Sequence, residues 1–477
     1  MFISKKRLQA MVWLGIVVLI TNILLGGAFQ ADFDRWLKLL FGIIIVSYIL
    51  DIVMIKIVGI NVFSIIVFFI TFSYLFHFGQ VIVNVLEPNY KFIAYNYIRN
   101  VNEDIVRSSL TFCYNVIQIV VYGICCSANK MGKKVKSRKN YCHMNLRSFQ
   151  FKLMAWLFFI LFGSMRINYN LHSIKNVMLK RYTGLEGADF NGVYIQLSNF
   201  CVIGFIMLIL AYSEQKRKAR LIFAFELLFM MWGMLTGGRI YSTISIVLIS
   251  YCYFNVIENI KIKNVIVVIF AGCLLLQVIT AITTLRTTKN FNFESIAQKI
   301  VSTDDNFLFQ MLDEFGGSVY TVEETIVEIP DTIQYHRGLS YVKAWLLVGV
   351  NMREGLLDEV LSEVEYTRIL QKQNSYGGSF IGELYYNFGY FGIAFAWLVG
   401  VFAQKISCMC DRYLYERRYI EYSLLIMPAY ALLSWVRGYF DGFTRSTIWA
   451  AFIIIIVYKS FSKISKGSIF YKERELN

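Results

Sequence analysis

Charged residues are scarce in this chain, making up 17% of 477 residues. Soluble domains carry about a quarter. With an apolar fraction of 57% and a mean hydropathy of +0.53, this scarcity excludes an ordinary soluble globule and leaves a membrane protein. Several enzyme signatures are also missing. There is no Gly-x-x-x-x-Gly-Lys-Ser/Thr phosphate loop, no Gly-x-Gly-x-x-Gly, no His-Glu-x-x-His and no Gly-x-Ser-x-Gly elbow. ATP-driven transport, nicotinamide chemistry and zinc proteolysis lose their usual sequence support. The nine cysteines form no disulfide framework, because Cys113, Cys125, Cys126, Cys201, Cys252 and Cys273 lie in or beside apolar runs. Cys142, Cys408 and Cys410 adjoin basic runs, and Cys408-Met409-Cys410 lacks the second ligand pair of a zinc site.

What is present is a series of apolar runs. A bilayer core about 30 Å thick needs about 20 residues per helix, and on that ruler the chain holds about twelve spans. They cover 8–29, 36–55, 60–86, 105–127, 151–167, 191–212, 221–237, 240–258, 264–284, 381–403, 420–437 and 445–461. The first run follows Lys5-Lys6-Arg7, but it is too long for a cleavable signal and is read as a helix. The formal charge of +15 does not point to nucleic acid, since the basic residues sit between spans. Lys133 and Lys134, Lys216 to Arg220, Arg417 and Arg418, and a tail with Lys459, Lys463 and Lys466 all fall on one side of the alternation. The positive-inside rule makes that side cytoplasmic and places both termini there.

Between the ninth and tenth spans lies a polar stretch, Leu285 to Glu383, with eight lysines and arginines against fifteen acidic residues. It falls outside, and it is too long for a structureless connection. Apolar spacing over 296–315, 341–350 and 353–370 predicts short helices. The expected fold is an all-α polytopic membrane protein with one large, mostly helical external loop. Its divisions are 1–284 for the first nine spans, 285–380 for the cap, 381–461 for the last three spans and 462–477 for a basic tail.

Four arginines mark outer ends of spans. Arg239 follows Thr236-Gly237-Gly238, Arg286 ends the span entering the cap, and Arg437 and Arg445 flank the last outer turn. Ionisable groups at bilayer depth are costly and tend to face internal cavities, although each arginine could instead snorkel to the headgroups. Guanidinium forks suit phosphate, so the four are candidates for binding a pyrophosphate, in falling order Arg286, Arg239, Arg437, Arg445. Glu383 opens a span, where a carboxylate also gains from the helix dipole, so a capping role and a catalytic role are both open. Asp441 is the second candidate carboxylate, or an ion-pair partner of its flanking arginines. His336-Arg337 is a candidate acid–base and glycan-contact pair, or an incidental loop sequence. Tyr376, Tyr385 and Tyr386 could stack on sugar rings or belong to an interfacial belt.

The chain resembles the oligosaccharide repeat-unit polymerases, the Wzy-type O-antigen and capsule polymerases. The resemblance rests on Thr236-Gly237-Gly238-Arg239, on Phe315-Gly316-Gly317-Ser318 through Ile329-Pro330 to Arg337-Gly338-Leu339-Ser340-Tyr341, and on Gly377-Gly378-Ser379 through Glu383 to Asn387-Phe388-Gly389. It implies a membrane-embedded glycosyltransferase of the inner membrane that joins undecaprenyl-pyrophosphate-linked oligosaccharides on the outer face. No nucleotide sugar, cofactor or metal is implied; membrane lipid, a flippase and a chain-length regulator are the implied partners. Two rival readings are an O-antigen ligase, which moves the glycan to a lipid core, and a flippase or transporter of the same lipid-linked sugar. A transporter predicts charges deep in several spans and matched inverted halves. Neither is visible here.

Overall fold

The computed structural model describes residues 5–92, 95–128, 146, 148–180, 190–236, 239–258, 307–350, 358–370 and 377–474, and no strand occurs among them. The helices are α1 (Lys5–Gly27), α2 (Phe33–Ile57), α3 (Ile65–Leu86), α4 (Glu103–Ser127), α5 (Ser148–Lys180), α6 (Gly192–Asn199), α7 (Cys201–Ala211), α8 (Lys216–Gly233) and α9 (Arg239–Val256). After the undescribed stretch come α10 (Phe307–Gly316), α11 (Val319–Glu328), α12 (Leu339–Val350), α13 (Asp358–Val364), α14 (Phe380–Phe388), α15 (Gly392–Tyr415), α16 (Tyr419–Ser434) and α17 (Phe440–Arg474).

Among the described residues, nine stretches are long and apolar enough to cross a bilayer, and each coincides with one of the expected spans. Two other expected spans are helical but fall short of that standard. α8 carries five charged residues, Lys216, Arg217, Lys218, Arg220 and Glu226, while the apolar part of α9 runs only from Ile240 to Val256. The expected span 264–284 lies outside the described residues. Large aliphatic side chains project from the spanning helices, such as Ile160 at 62% and Leu398 at 52% exposed. Water penalises such faces and lipid does not.

Contacts divide the chain into two compact units, one of 1–137, 305–408 and 432–444, the other of 138–304, 409–431 and 445–477. In the first, α4 packs on α1, α2 and α3. A Cβ on Gly123 of α4 would strike the backbone of Trp397, and one on Gly400 of α15 that of Val120, so these glycines let two helix backbones touch. The polar stretch joins this unit by the same device. Gly79 of α3 and Gly316 of α10 face each other with no room for a Cβ on either, and Gln80 then donates to Asp313 Oδ1 at 2.9 Å. The helices expected near 296–315 and 341–350 are present over their described residues, and the one expected at 353–370 is broken after Val364. α11 was not expected; its β-branched, acidic sequence hides a buried face of Val319, Val322, Glu323 and Thr325, which packs on α4 and α14.

In the second unit α5 lies along α6 and α7, where Gly204 passes so close to Phe159 that a Cβ would stand 2.6 Å from its backbone nitrogen. α8 and α9 pack on α7 and on each other.

Candidate functional site

The stretch Gly377-Gly378-Ser379 starts α14 and fixes what surrounds it. Ser379 is the helix N-cap: its Oγ accepts the Ile381 N–H at 3.2 Å and lies 2.8 Å from His77 Nε2. His77 Nδ1 is 2.8 Å from the Ser73 carbonyl, so the proton sits on Nδ1, and Nε2 accepts from the Ser379 hydroxyl. Gly377 has φ +63°, a conformation that favours glycine. A Cβ on Gly378 would lie 2.5 Å from the Gly438 carbonyl oxygen and 2.6 Å from the Tyr439 ring. Two glycine-bearing segments therefore touch backbone to backbone, which sets the half-buried Arg437 beside Gly377. The Arg437 guanidinium carbon also stands 5.9 Å from the centre of the Phe76 ring.

Glu383 is fully buried on α14. Its Oε2 accepts the Trp435 indole N–H at 2.7 Å and its Oε1 accepts the Phe440 backbone N–H at 3.3 Å. The carboxylate is thus a clasp holding both ends of the 435–440 turn that carries Arg437. With both oxygens bonded and no exposed surface, it is poorly placed to take a proton from a sugar. Asp441 is buried in the first turn of α17, where its carbonyl accepts from Thr444 Oγ1 at 3.0 Å.

The far end of α14 receives the Arg337–Ser340 segment. Arg337 and His336 donate their backbone N–H groups to the carbonyls of Asn387 and Tyr386, at 2.8 and 3.1 Å. The Asn387 side chain accepts from Gly338 N–H at 3.0 Å and donates to Ser340 Oγ at 2.7 Å. Arg337, exposed at φ 51°, and Gly338, at φ +85°, make the bend that brings His336 back over the helix. His336 stacks on Tyr386 at 4.7 Å, and Tyr386 stacks on Tyr366 at 5.2 Å. The His336 Nδ1 is buried without a hydrogen-bond partner. Burial first, and then the Lys343 charge, pushes the His336 pKa below its ordinary value, so the ring is neutral at neutral pH.

The two tyrosines expected to meet sugar rings are interior. Tyr386 has no exposed surface, and Tyr385 packs edge-on against Phe112 and Tyr390 while its hydroxyl donates to the Ile329 carbonyl at 3.4 Å. Tyr386 backs the His336 ring. Tyr376 and Arg286 lie outside the described residues, and Arg239, the first residue of α9, and Arg445, in α17, belong to the second unit. Among the described residues, no group of three His, Cys, Asp or Glu side chains is placed to hold a metal ion.

Sequence reasoning missed two residues. His77 is a polar interruption of the 60–86 run, and that interruption was its signal. Arg166 ends the expected span 151–167, the same signal that singled out the other arginines, and in the structure it is 3% exposed inside the second unit.

Residues 11–464 match the family model described as O-antigen polysaccharide polymerase Wzy. No curated protein and no solved structure matches.

Proposed function

Because the chain belongs to the O-antigen polysaccharide polymerase Wzy family, we propose that it lengthens a surface polysaccharide by glycosyl transfer between two lipid-pyrophosphate-linked oligosaccharides. A terminal sugar hydroxyl of one unit attacks the anomeric carbon of another chain; the new glycosidic bond forms as the anomeric carbon–oxygen bond to the pyrophosphate breaks. The hydroxyl proton goes to a base, and the lipid pyrophosphate leaves with its negative charge. The observation that carries this reading is the closure of Gly377-Gly378 on Arg437-Gly438 under the Glu383 clasp. It fixes the backbone that carries Arg437, and cations held in advance stabilise charge as it develops on a leaving group. Arg286, Arg239 and Arg445 are proposed as further cations for phosphate oxygens. Undecaprenyl pyrophosphate is the proposed carrier, and a flippase and a chain-length regulator the proposed partners. The test is purified protein with lipid-linked repeat units alone. A ladder of products without nucleotide sugar or ATP is expected, and its absence in folded, correctly inserted protein removes the reading.

His336 is the proposed base, since its ring is only half-buried, unlike Glu383, and is neutral at neutral pH. Polymerisation is then expected to be lost as pH falls through a value below the ordinary histidine pKa, where imidazolium forms, and to be level above it. His336→Gln should lower the rate by about 10²–10⁴-fold and abolish that acid limb. An unchanged acid limb in the variant would assign it to another group.

A further inference from the structure

One helix of the polar stretch carries large apolar side chains on a face that stands open among the described residues. In α12, Ser340, Ala344 and Leu347 are fully buried, and the last two share a small apolar core with Val364 of α13. On the opposite side Leu339, Val342, Trp345 and Leu346 are 54%, 61%, 55% and 62% exposed. At about 3.6 residues per turn those four side chains form one stripe, about a third of the way round the helix. The stripe is uncharged, because Lys343, the only charged residue of α12, pairs with Glu363 of α13. Nor does α12 cross a bilayer, since its 12 residues span about 18 Å against a core of about 30 Å.

The contacts that pin α12 place it at the edge of the hydrocarbon layer. The Tyr341 ring stacks on Phe388 at 6.4 Å and meets Phe440 edge-on at 5.2 Å, and Phe388 stacks in turn on Phe395 of α15 at 4.0 Å. The Ala344 carbonyl accepts the Thr444 hydroxyl of α17 at 3.0 Å. Phe380–Tyr415 and Phe440–Lys463 are both long and apolar enough to cross a membrane, with one such stretch, Tyr419–Arg437, between them, so both start at the same face of the bilayer. From Leu384 to Gln404 no residue is charged, which is about the length of one crossing, and Phe388 stands near its beginning. Beside α12 the surface is already lipid-facing: Phe391 and Phe395, where α15 begins, are 80% and 41% exposed. Phe388, between Tyr341 and Phe395, links α12 to that surface.

We propose that α12 is an interfacial helix that lies along the membrane surface, with Leu339, Val342, Trp345 and Leu346 sunk into the acyl chains at the headgroup boundary. The partner of this face is the bilayer itself. An uncharged stripe opposite an anchored side suits that depth, and a tryptophan on the stripe suits the headgroup boundary in particular. The helix also sets the height of what precedes it. His336 and Arg337 lead straight into α12 and are tied by their backbone N–H groups to the end of α14, so a seated α12 holds the imidazole at headgroup level. The proposal does not depend on the polymerase reading.

Fluorescence quenching of the full chain in phosphatidylcholine vesicles tests this, read as the difference between wild type and Trp345→Phe, which isolates one of eight tryptophans. Bromine on the acyl chains close to the headgroup is expected to remove most of the Trp345 emission, bromine near the chain ends less of it, and iodide in the water little. Stronger quenching by iodide than by the shallow bromines puts the face in water and overturns the proposal. Protection from both means that protein, such as a second copy of the chain, covers the stripe, and this overturns it too. Stronger quenching by the deep bromines overturns the interfacial position. Leu346→Asp, measured with and without Trp345→Phe, is an independent check: a carboxylate on a lipid-seated stripe is expected to shift the Trp345 emission to the red and open it to iodide. An unchanged spectrum and unchanged iodide access in folded Leu346→Asp overturn the proposal. None of these readings needs turnover, so the proposal can fail with the product ladder intact, and a missing ladder leaves it standing.

Discussion

Arg437→Ala is expected to collapse the polysaccharide ladder to single repeat units while the protein still inserts and keeps its spans. The argument begins with position. Gly377, at φ +63°, and Gly378, with no room for a Cβ against Gly438, bring the start of α14 against the 437–439 segment. The Glu383 clasp then holds residues 435 and 440 on either side of Arg437. An arginine on a backbone held this way needs little reorganisation as charge appears on a departing phosphate, and that is where preorganisation gains most. Removing one such donor costs about 10²–10³-fold in turnover. Arg437→Lys keeps the charge and loses the fork, so an intermediate rate is expected. The readout is the length distribution of surface polysaccharide in cells whose only copy is the variant, with membrane abundance measured in parallel. Normal chain lengths from Arg437→Ala would remove the leaving-group role. Arg286→Ala, in the same assay, asks whether the arginine ranked first from sequence behaves alike.

The spans were legible because lipid imposes a simple rule, about 20 apolar residues per crossing, and nine of them stand where that rule puts them. Helices that bend the rule were harder to weigh. α8 carries four basic residues at its start, so its hydrophobic signal competes with its charge. The polar stretch was legible as helical but not in detail: α11 places Val319, Val322 and Glu323 at helical spacing, yet the acidic Glu323 on that face masks how it packs on α4 and α14. Two of the glycine-bearing stretches, Arg337-Gly338-Leu339-Ser340 and Asn387-Phe388-Gly389, meet through hydrogen bonds of the Asn387 side chain. The partners across them were not legible. Glu383 meets Trp435 at a separation of 52 residues, and His77 meets Ser379 at 302, contacts that no local pattern encodes. The same gap explains Tyr385 and Tyr386, whose burial depends on partners far along the chain, such as Phe112 and Tyr366.

Replacing Glu383 separates its two possible roles most sharply. If it holds the 435–440 turn, Glu383→Ala leaves the Trp435 indole N–H and the Phe440 amide N–H unpaired in the interior, at about 1–3 kcal/mol each. A lower unfolding temperature in detergent and loss of polymer are then expected together, because Arg437 no longer has a fixed place. Glu383→Gln keeps the shape and one carbonyl oxygen. That oxygen can still accept from the Trp435 indole at the present 2.7 Å, while the longer 3.3 Å bond to Phe440 is lost. A clasp weakened in its longer bond should retain a measurable rate and most of its stability. A proton acceptor behaves differently, since an amide takes up no proton and Glu383→Gln would be as inactive as Glu383→Ala, with its stability intact. The Gln variant's rate, set beside its unfolding temperature, therefore decides between them. Retained polymer assigns Glu383 to positioning and leaves the proton to His336. A stable, inactive Gln variant would return the carboxylate to the chemistry.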